Sequence, residues 1–521
     1  MTAAIADKAP PRARLVLGTL ILVAGVANIN LAVANVALPD IGKAFDASAV
    51  ALNLVAVGYS LGLAASVLYF GALGDRHGRK RMLIIGMSLS IPASLIAGFA
   101  PTIEVLFAGR LLGGIAAGLA YPTTLAIITA LWQGPSRTKA IAAWSALGGA
   151  ISALGPVLSG GLLEIFDWHS VFLVTLPLAV IALFAAFKLV PKDSGDASEK
   201  VDNLGGVFSI VFIGAMVLCL NFLPMAGAGL LAGVLGAVAV GAAVAFFVRQ
   251  RHATTPLFDL KIAARPTFWV AALGGVVVFG TLMGAMYIGQ QYLQNVLHYS
   301  TLAAGASVLP AAISMVAVAP LSARLVEARG SRMTLLMGFA FIAVGMVSAM
   351  TLWTESAHYW RVALVYICIG VGVGLAGTPA SRSLTGSVPL SRAGMASGMS
   401  DLQRDLGGAI MQSILGAILT AGYAHNLTKQ ISGSPDAGTI TDQTQAALTK
   451  SFASAEDLAA RYPQHADDIL SAAREAFVHG DVLAYSAAIV VVAAGALMVF
   501  FCFPKPERER ELMKEYASED L

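Results

Sequence analysis

Gly71-Ala-Leu-Gly-Asp-Arg-His-Gly-Arg-Lys-Arg81 decides the fold of this chain, because it is a short charged stretch between two long apolar runs. About 20 mainly apolar residues are enough to cross a membrane as a helix. The charged stretch is therefore predicted to be a tight loop between two membrane-spanning helices. Its cations, which fall between residues 76 and 81, indicate that the loop lies on the cytoplasmic side.

The composition is that of an integral membrane protein. Of the 521 residues, 57% are hydrophobic and 12% are charged, and the mean hydropathy is +0.77, whereas soluble domains carry about 25% charged residues. Because backbone polar groups in lipid must be paired within the protein, helices are expected. The net charge of +3 gives no indication of a nucleic-acid partner. The three cysteines lie far apart in apolar runs, so no disulfide, metal site or cofactor is predicted.

Fourteen apolar runs are predicted to cross the membrane, which makes this an all-α membrane protein. They lie near residues 15–38, 48–73, 82–100, 105–131, 138–163, 168–189, 204–223, 228–249, 267–291, 301–323, 333–353, 360–381, 394–422 and 482–503. The first run is too long for a cleaved signal peptide and is interpreted as a retained helix. An even number of spans places both termini on one side, and the loops rich in Lys and Arg make that side cytoplasmic. A multi-pass protein of the plasma membrane is expected.

Two polar segments, residues 192–203 and 425–481, and a weak internal repeat predict the domain organisation. Ala323–Arg332 repeats the leucine, acid, glycine and base of the opening loop, and Gly113–Pro122 resembles Gly370–Pro379. Two related six-helix halves with an inserted helix pair, a 6+2+6 arrangement, explain this pattern. The predicted units are an N-terminal six-helix bundle (1–190), linkers with two inserted helices (191–265), a C-terminal six-helix bundle (266–503) with an extracytoplasmic loop (425–481), and a cytoplasmic tail (504–521).

The densest group of charges within an apolar run is Asp401-Leu-Gln-Arg404-Asp405. The i, i+3, i+4 spacing places these side chains on one helix face, which must be directed to a cavity or to the bundle interior. All eight histidines fall in loops or at helix ends, and Asp401 and Asp405 are the only acids clearly within a predicted span. An acid that exchanges a proton near neutral pH is what proton coupling requires. A static ion-pair network that fixes helix packing is the alternative.

Two further polar features lie in predicted spans. Arg110 is a functional candidate because a charge within a span costs about 2.5–3.5 kcal/mol or more; the alternative is an arginine that extends to the outer surface. A polar stripe at helical spacing could bind a planar or cationic ligand, unless it is a helix end that rises into the headgroups. Its members are Tyr287, Gln290, Gln291 and Gln294.

Three motifs resemble those of the major facilitator superfamily of transporters. The pattern G-x-L-x-D-R-x-G-R-K at Gly71–Lys80 resembles the loop between helices 2 and 3 of that family. Gly148–Gly161 is similar to the antiporter motif G-x-x-x-G-P-x-x-G-G of its exporters, and Asn35–Pro39 is similar to a helix 1 motif of its 14-helix drug:proton antiporter branch. The resemblance covers essentially the whole chain and implies the major facilitator fold.

The resemblance also implies roles for individual residues. The resemblance implies that Gly71, Asp75, Gly78 and Arg79 form a conformational switch. The alternative is that the cations of this loop only set the topology. A kinked helix with almost no bulk on one face is implied by Gly155, Pro156, Gly160 and Gly161. Arg110 resembles the helix 4 arginine that lies near proton-transfer groups in the family.

The chain departs from the family pattern in helix 1, where the family aspartate falls on Asn30, which cannot ionise. A helix 2 acid of some quaternary-ammonium exporters falls near Val57, whereas Asp401 and Asp405 match the acidic positions of their helix 13. We therefore hypothesise that Asp405 is the main proton carrier and that Asp401 or Arg404 tunes it. Asn30 and the polar stripe are expected to line the substrate cavity.

The function expected from these features is that of a monomeric secondary exporter. It would exchange amphipathic or cationic drugs for protons across the lipid bilayer by alternating access. Export of an endogenous metabolite, secondary product or lipid is the alternative. A membrane-embedded enzyme or sensor is a more remote alternative, because the sequence shows no nucleotide-binding loop, His-Glu-x-x-His motif or nucleophile elbow.

Overall fold

The computed structural model describes residues 10–132, 135–191, 201–223, 227–388, 393–434 and 440–518. The secondary structure of these residues is helical throughout, and no strand occurs among them. This agrees with the prediction of an all-α membrane protein.

The helices divide into three groups along the chain. The first group, which we call the N-terminal half, comprises α1 (Ala13–Phe45), α2 (Ala49–His77), α3 (Arg79–Gly98), α4 (Ile103–Leu131), α5 (Pro135–Leu163), α6 (His169–Leu173) and α7 (Thr175–Leu189). The inserted group comprises α8 (Asn203–Phe222), α9 (Gly229–His252) and α10 (Leu260–Ala263). The C-terminal half comprises α11 (Pro266–Gln291), a π-helical turn (Tyr292–Val296), α12 (Thr301–Ala306), α13 (Leu309–Leu352), α14 (Tyr359–Gly386), α15 (Ala393–Gly433), α16 (Asp442–Lys450), α17 (Phe452–Arg461), a 3₁₀ turn (Pro463–His465), α18 (Ala466–Cys502) and α19 (Pro506–Ser518).

Short polar residues begin several of these helices. The Ser48 hydroxyl accepts from the backbone N–H of Ala51 at 3.2 Å at the start of α2, and the Asp202 carboxylate accepts from Gly205 N–H at 3.1 Å at the start of α8. Such caps satisfy N–H groups that the first helical turn leaves unpaired. Between α2 and α3, Gly78 turns the chain with φ 96°, a conformation that strongly favours glycine.

Twelve helical segments among the described residues are long and apolar enough to cross a membrane. One of them, Thr301–Leu352, has 52 residues, which is about 78 Å of helix and far more than the roughly 30 Å that a bilayer core needs. Gly330 interrupts it with φ 83° and ψ 165°. α5 has 29 residues and is not among the twelve, because several of its side chains lie outside the described part.

Helix boundaries near the predicted extracytoplasmic loop differ from the expectation. α15 continues to Gly433 and α18 begins at Ala466, well before the apolar run that starts near residue 482. The reason is that residues 466–481 are mixed polar and apolar helix formers, which hydropathy alone does not mark. Asp481, predicted to end the extracytoplasmic loop, therefore lies within a helix that includes a candidate span.

The most extensive contacts between the two halves are those of α2 with α15, α5 with α12, and α1 with α11. α8 of the inserted group packs against both α2 and α15 and so covers one of these contacts. This arrangement leaves a cavity between the halves.

Candidate functional site

A cavity of about 430 Å³ lies between the N-terminal and C-terminal halves. Its walls are mainly apolar and aromatic, and its polar groups are few, which is typical of small-molecule sites. The N-terminal half contributes Ala24, Asn28, Leu31, Ala32, Asn35, Tyr121, Leu125, Trp144 and Pro156. The C-terminal half contributes Phe279, Leu282, Met283, Met286, Val308, Ala311, Ala312, Met315, Gly370, Ser381, Thr385, Ser400, Asp401 and Arg404.

The charge cluster predicted on one helix is found in α15 at the edge of this cavity. Asp401 and Arg404 line the cavity, whereas the Asp405 side chain is fully buried beside it. Arg404 Nε lies 3.5 Å from Asp405 Oδ1, and Asp405 Oδ2 has no hydrogen-bond partner among the described residues. A carboxyl group with one long charged contact and one unpaired oxygen is well suited to exchange a proton.

Arg404 also connects the two halves. Its Nη1 donates to the Tyr121 hydroxyl of α4 at 3.2 Å, and its guanidinium lies 5.1 Å from the centre of the Tyr121 ring. Trp144 of α5 packs 5.7 Å from the same ring, and its Nε1 donates to Thr124 Oγ1 at 3.1 Å. Tyr121 was not predicted as a site residue, because its partner is 283 positions away in sequence.

Close packing of α11 and α15 holds the cluster in place. A Cβ atom added at Gly407 would lie 2.4 Å from Val276 O, and one added at Gly280 would lie 2.5 Å from Gly407 O. Only glycine allows the two helices to approach this closely. The glycines that follow Asp405 in the sequence therefore position the acid against α11.

Arg110 is buried within the N-terminal half and does not extend to a surface. Its Nε donates to Val55 O at 3.3 Å and its Nη1 donates to Asn30 O. The guanidinium lies 5.1 Å from the centre of the Tyr59 ring. Tyr59, a residue that the sequence did not single out, is in electrostatic range of both Arg110 and Asp405. Tyr59 is thus a residue that both Arg110 and Asp405 can influence electrostatically.

Asn30 lies beside Arg110 in the interior of the N-terminal half. Its Nδ2 donates to Val26 O at 3.0 Å, and its Oδ1 accepts from Thr175 Oγ1 at 3.2 Å. Asn30 is not among the residues that line the cavity between the halves, where α1 instead contributes Asn28 and Asn35. Its assignment to a substrate cavity stays a prediction.

The polar stripe of α11 lies away from the large cavity. Gln290 Nε2 donates to Ala304 O at 2.9 Å, and Gln294 Nε2 donates to Val36 O of the N-terminal half at 2.9 Å. Tyr287 and Gln291 line a separate cavity of about 30 Å³. The structure therefore brings the stripe to a contact between the halves, and its role in binding substrate stays a prediction.

The glycines of the α5 motif lie at a second contact between the halves. A Cβ atom at Gly160 would be 2.3 Å from Thr301 O of the C-terminal half, and Thr301 Oγ1 donates to Gly160 O at 3.0 Å. A Cβ atom at Gly155 would be 2.8 Å from Ala32 Cβ, whereas Gly161 has ordinary space. Pro156 presents its carbonyl oxygen to Gly305, where a Cβ would approach it to 2.2 Å.

The opening loop of the sequence forms the turn between α2 and α3. Arg79 Nη1 donates to Ala126 O of α4 at 3.2 Å, and nothing lies within 4 Å of a Cβ atom built at Gly71. The side chain of Asp75 lies outside the part of the chain that the structure describes. The charge latch predicted for this loop therefore stays a prediction.

A helical hairpin formed by α16 and α17 reaches from the C-terminal half to the end of α1. Lys450 Nζ lies 2.7 Å from Asp46 Oδ2, and Lys43 Nζ lies 3.0 Å from Glu456 Oε2. The hydrogen bond from Lys450 holds the pKa of Asp46 below its usual range. The hairpin is thus tied to the N-terminal half by two ion pairs.

Neutralising both lysines, Lys43→Gln with Lys450→Gln, is expected to release the hairpin. Exposed pairs contribute about 0.2–1 kcal/mol each, so we expect a rise of a few fold in thiol labelling at an Asn295→Cys reporter under the hairpin. Asp46 has a lowered pKa in the folded protein. Its ion pair with Lys450 therefore stabilises the docked hairpin at pH values above the pKa of Asp46 in the unfolded chain, and this stabilisation is lost as the pH falls through the pKa of Asp46 in the folded protein. Lys429→Gln, at an exposed position in α15, is the control. Equal labelling in all variants would show that the two ion pairs do not hold the hairpin against α1.

Comparisons with known proteins agree with this architecture. A model described as Major Facilitator Superfamily matches residues 20–411. The chain is 32% identical to the multidrug efflux pump LfrA of Mycolicibacterium smegmatis over 94% of this chain and 96% of that protein. It is 31% identical to the multidrug resistance protein Stp of Mycobacterium tuberculosis, over 75% and 73% of the two chains.

Two further comparisons extend over nearly the full length. The methyl viologen resistance protein SmvA of Salmonella typhimurium is 29% identical, over 95% of this chain and 99% of that protein. A crystal structure of a bacterial homologue of the human lysosomal transporter Spinster, inward-facing and unoccupied, superposes with a TM-score of 0.63 at 17% identity, over 96% and 98% of the two chains.

Proposed function

Because the chain belongs to the major facilitator superfamily, we propose that it is a proton-coupled exporter of amphipathic and cationic drugs in the plasma membrane. Multidrug efflux is indicated by the names of its relatives, among them a methyl viologen resistance protein. Methyl viologen is a planar organic dication. The protein would act as a monomer and as a transporter rather than an enzyme.

The observation that carries this proposal is the cavity between the halves. It joins aromatic faces, Tyr121 and Trp144, to a carboxyl group, Asp401. Aromatic faces attract organic cations, and a carboxylate supplies the opposite charge. Such a site holds flat, positively charged and largely apolar molecules without demanding one shape.

The arrangement of contacts supports an inward-facing state. The cavity includes Ser381 and Thr385 near the end of α14 and Ser400 near the start of α15, which lie toward the predicted cytoplasmic side. Toward the other side, the halves are joined at Gly160 with Thr301 and at Gln294 with Val36. Export would require these outer contacts to separate and the inner end to close.

Proton coupling would operate through Asp405. When Asp405 is ionised, Arg404 neutralises it from 3.5 Å, and a cationic substrate can occupy the cavity beside Asp401. When Asp405 takes up a proton, Arg404 loses its counter-ion and adds positive charge next to the substrate, which favours release. Binding of proton and cation would thus be mutually exclusive, as antiport requires.

A fourteen-span arrangement of 6+2+6 fits the observed helices. Division of the 52-residue segment at Gly330 gives two spans instead of one, and α5 adds another to the twelve. The halves would be residues 1–190 and 266–503, with residues 191–265 inserted between them and both termini cytoplasmic. The tail would comprise residues 504–521.

Cells that lack their own efflux pumps test the proposal. Expression of the chain is expected to reduce accumulation of a fluorescent cationic dye severalfold, and a protonophore should restore accumulation. Asp405→Asn serves as the inactive control and Glu104→Gln, at an exposed acid in the first turn of α4, as the active one. No change in dye accumulation or drug susceptibility in any compound class would shift the assignment to an endogenous metabolite or lipid.

A further inference from the structure

A buried carboxyl group in the C-terminal half takes no part in the site described above. Asp481 of α18 is only 3% exposed. Neither of its carboxyl oxygens has a hydrogen-bond partner among the described residues. It lies near the middle of its helix, Ala466–Cys502, and far along the chain from the cluster in α15.

Four aromatic side chains, which we call the aromatic box, pack together next to Asp481. Their members are Tyr292, Trp353, Tyr366 and Tyr485. The rings of Tyr292 and Trp353 stack at 4.9 Å, and Trp353 makes edge contacts with Tyr366 at 5.8 Å and Tyr485 at 5.7 Å. Asp481 is in electrostatic range of Tyr292 and Tyr485. The Trp353 Nε1 and the hydroxyls of Tyr366 and Tyr485 have no partner in the described structure.

Among the described residues, no cation is found to neutralise Asp481. Arg361 of α14 is a cation within electrostatic range of Tyr292. The phenol of Tyr299 is also within electrostatic range of Tyr292. On α15, which packs against α18 at Gly422 and Gly480, Tyr423 is directed away and donates to Leu448 O at 3.0 Å. The described groups within electrostatic range of Asp481 are thus the phenols of Tyr292 and Tyr485.

An ionised carboxylate without a partner is very costly in such surroundings, whereas a neutral carboxylic acid is not. We propose that Asp481 carries a proton in this conformation and is a second proton-binding site, separate from the Asp401–Asp405 cluster. The proton would reside on a carboxyl oxygen that can turn toward the unpaired groups of the box. The proton leaves when the box opens to water.

The box is linked to an outer contact between the halves. Tyr292 begins the π-helical turn Tyr292–Val296, and its hydroxyl donates to Thr354 O at 2.6 Å. Two residues later, Gln294 bonds to Val36 of the N-terminal half. π-Turns are frequent at functional sites. A neutral Asp481 would therefore favour the closed outer end, and ionisation would draw water into the box and loosen the turn that carries Gln294.

Infrared spectroscopy of the full-length protein in nanodiscs tests the proton directly. At neutral pH, the wild type is expected to show a protonated-carboxyl C=O stretch that is absent from Asp481→Asn and retained in Asp468→Asn, an exposed acid of the same helix. Labelling with ¹³C-aspartate should shift this band. Identical carboxyl absorption in the wild type and Asp481→Asn would overturn the proposal.

Thiol labelling tests the link between Asp481 and the outer contact. In a background without Cys219, Cys368 and Cys502, labelling of Asn295→Cys is normalised to that of Lys429→Cys at each pH. The ratio is expected to rise severalfold at alkaline pH, and to stay constant when Asp481→Asn is added. A pH-independent ratio with aspartate at 481 would contradict the link. Both measurements are made without substrate, so their failure is separable from failure of the export proposal.

Discussion

Replacement of Asp405 by asparagine is expected to abolish uphill transport in proteoliposomes that carry a pH gradient. Asparagine keeps the size of the side chain but cannot bind and release a proton. Asp405 is fully buried, and its carboxylate is the one that Arg404 contacts. Accumulation against a gradient should fall to the level of empty liposomes, while flow of substrate down its own gradient should persist.

Two further variants separate coupling from folding and from substrate binding. Glu104→Gln removes an exposed acid from α4 and should leave accumulation unchanged. Asp401→Asn removes the acid that lines the cavity and should lower the apparent affinity for cationic substrates more than for neutral ones. Full gradient-driven accumulation by Asp405→Asn would exclude Asp405 as the proton carrier.

Gly160→Ala is expected to shift the protein strongly away from the proposed inward-facing state. The added methyl group would lie 2.3 Å from Thr301 O and 2.7 Å from Leu302 Cα, so backbone of the two halves would have to separate. Overpacking of this kind costs about 1–3 kcal/mol, which corresponds to roughly a 5–150-fold change in the ratio of the two states. Labelling of Asn295→Cys from the outer side should increase accordingly, and turnover should fall.

The neighbouring glycine provides a matched control for this substitution. At Gly161 an added Cβ would meet only Leu302 Cδ1 at 3.7 Å, an ordinary contact. Gly161→Ala should therefore label and transport like the wild type. If both variants behave alike, the close approach of α5 and α12 does not control access.

The fold was largely predictable because apolar runs of membrane length are a strong signal. The helix boundaries were less predictable where a helix continues beyond its apolar part. α18 begins at Ala466, so the loop that hydropathy predicts up to residue 481 extends too far, and Asp481 lies in the helix. The break at Gly330 is a property of one residue's backbone, which hydropathy does not report.

The site could be predicted only where spacing within one helix defines it. Asp401, Arg404 and Asp405 follow from the i, i+3, i+4 rule, and the structure places them at the cavity edge. Their partners Tyr59 and Tyr121 could not be identified, because contacts between distant helices leave no local pattern. For the same reason, the polar stripe of α11 could not be assigned to the outer contact instead of the large cavity.

Proton movement driven by substrate is the most direct test of proton-coupled export. Proteoliposomes with a trapped pH indicator and no initial pH gradient receive an imposed gradient of a cationic substrate, with membrane potential clamped. We predict proton flux opposite to the substrate flux in the wild type and none in Asp405→Asn. Substrate transport by the wild type without any accompanying proton flux would contradict proton-coupled export.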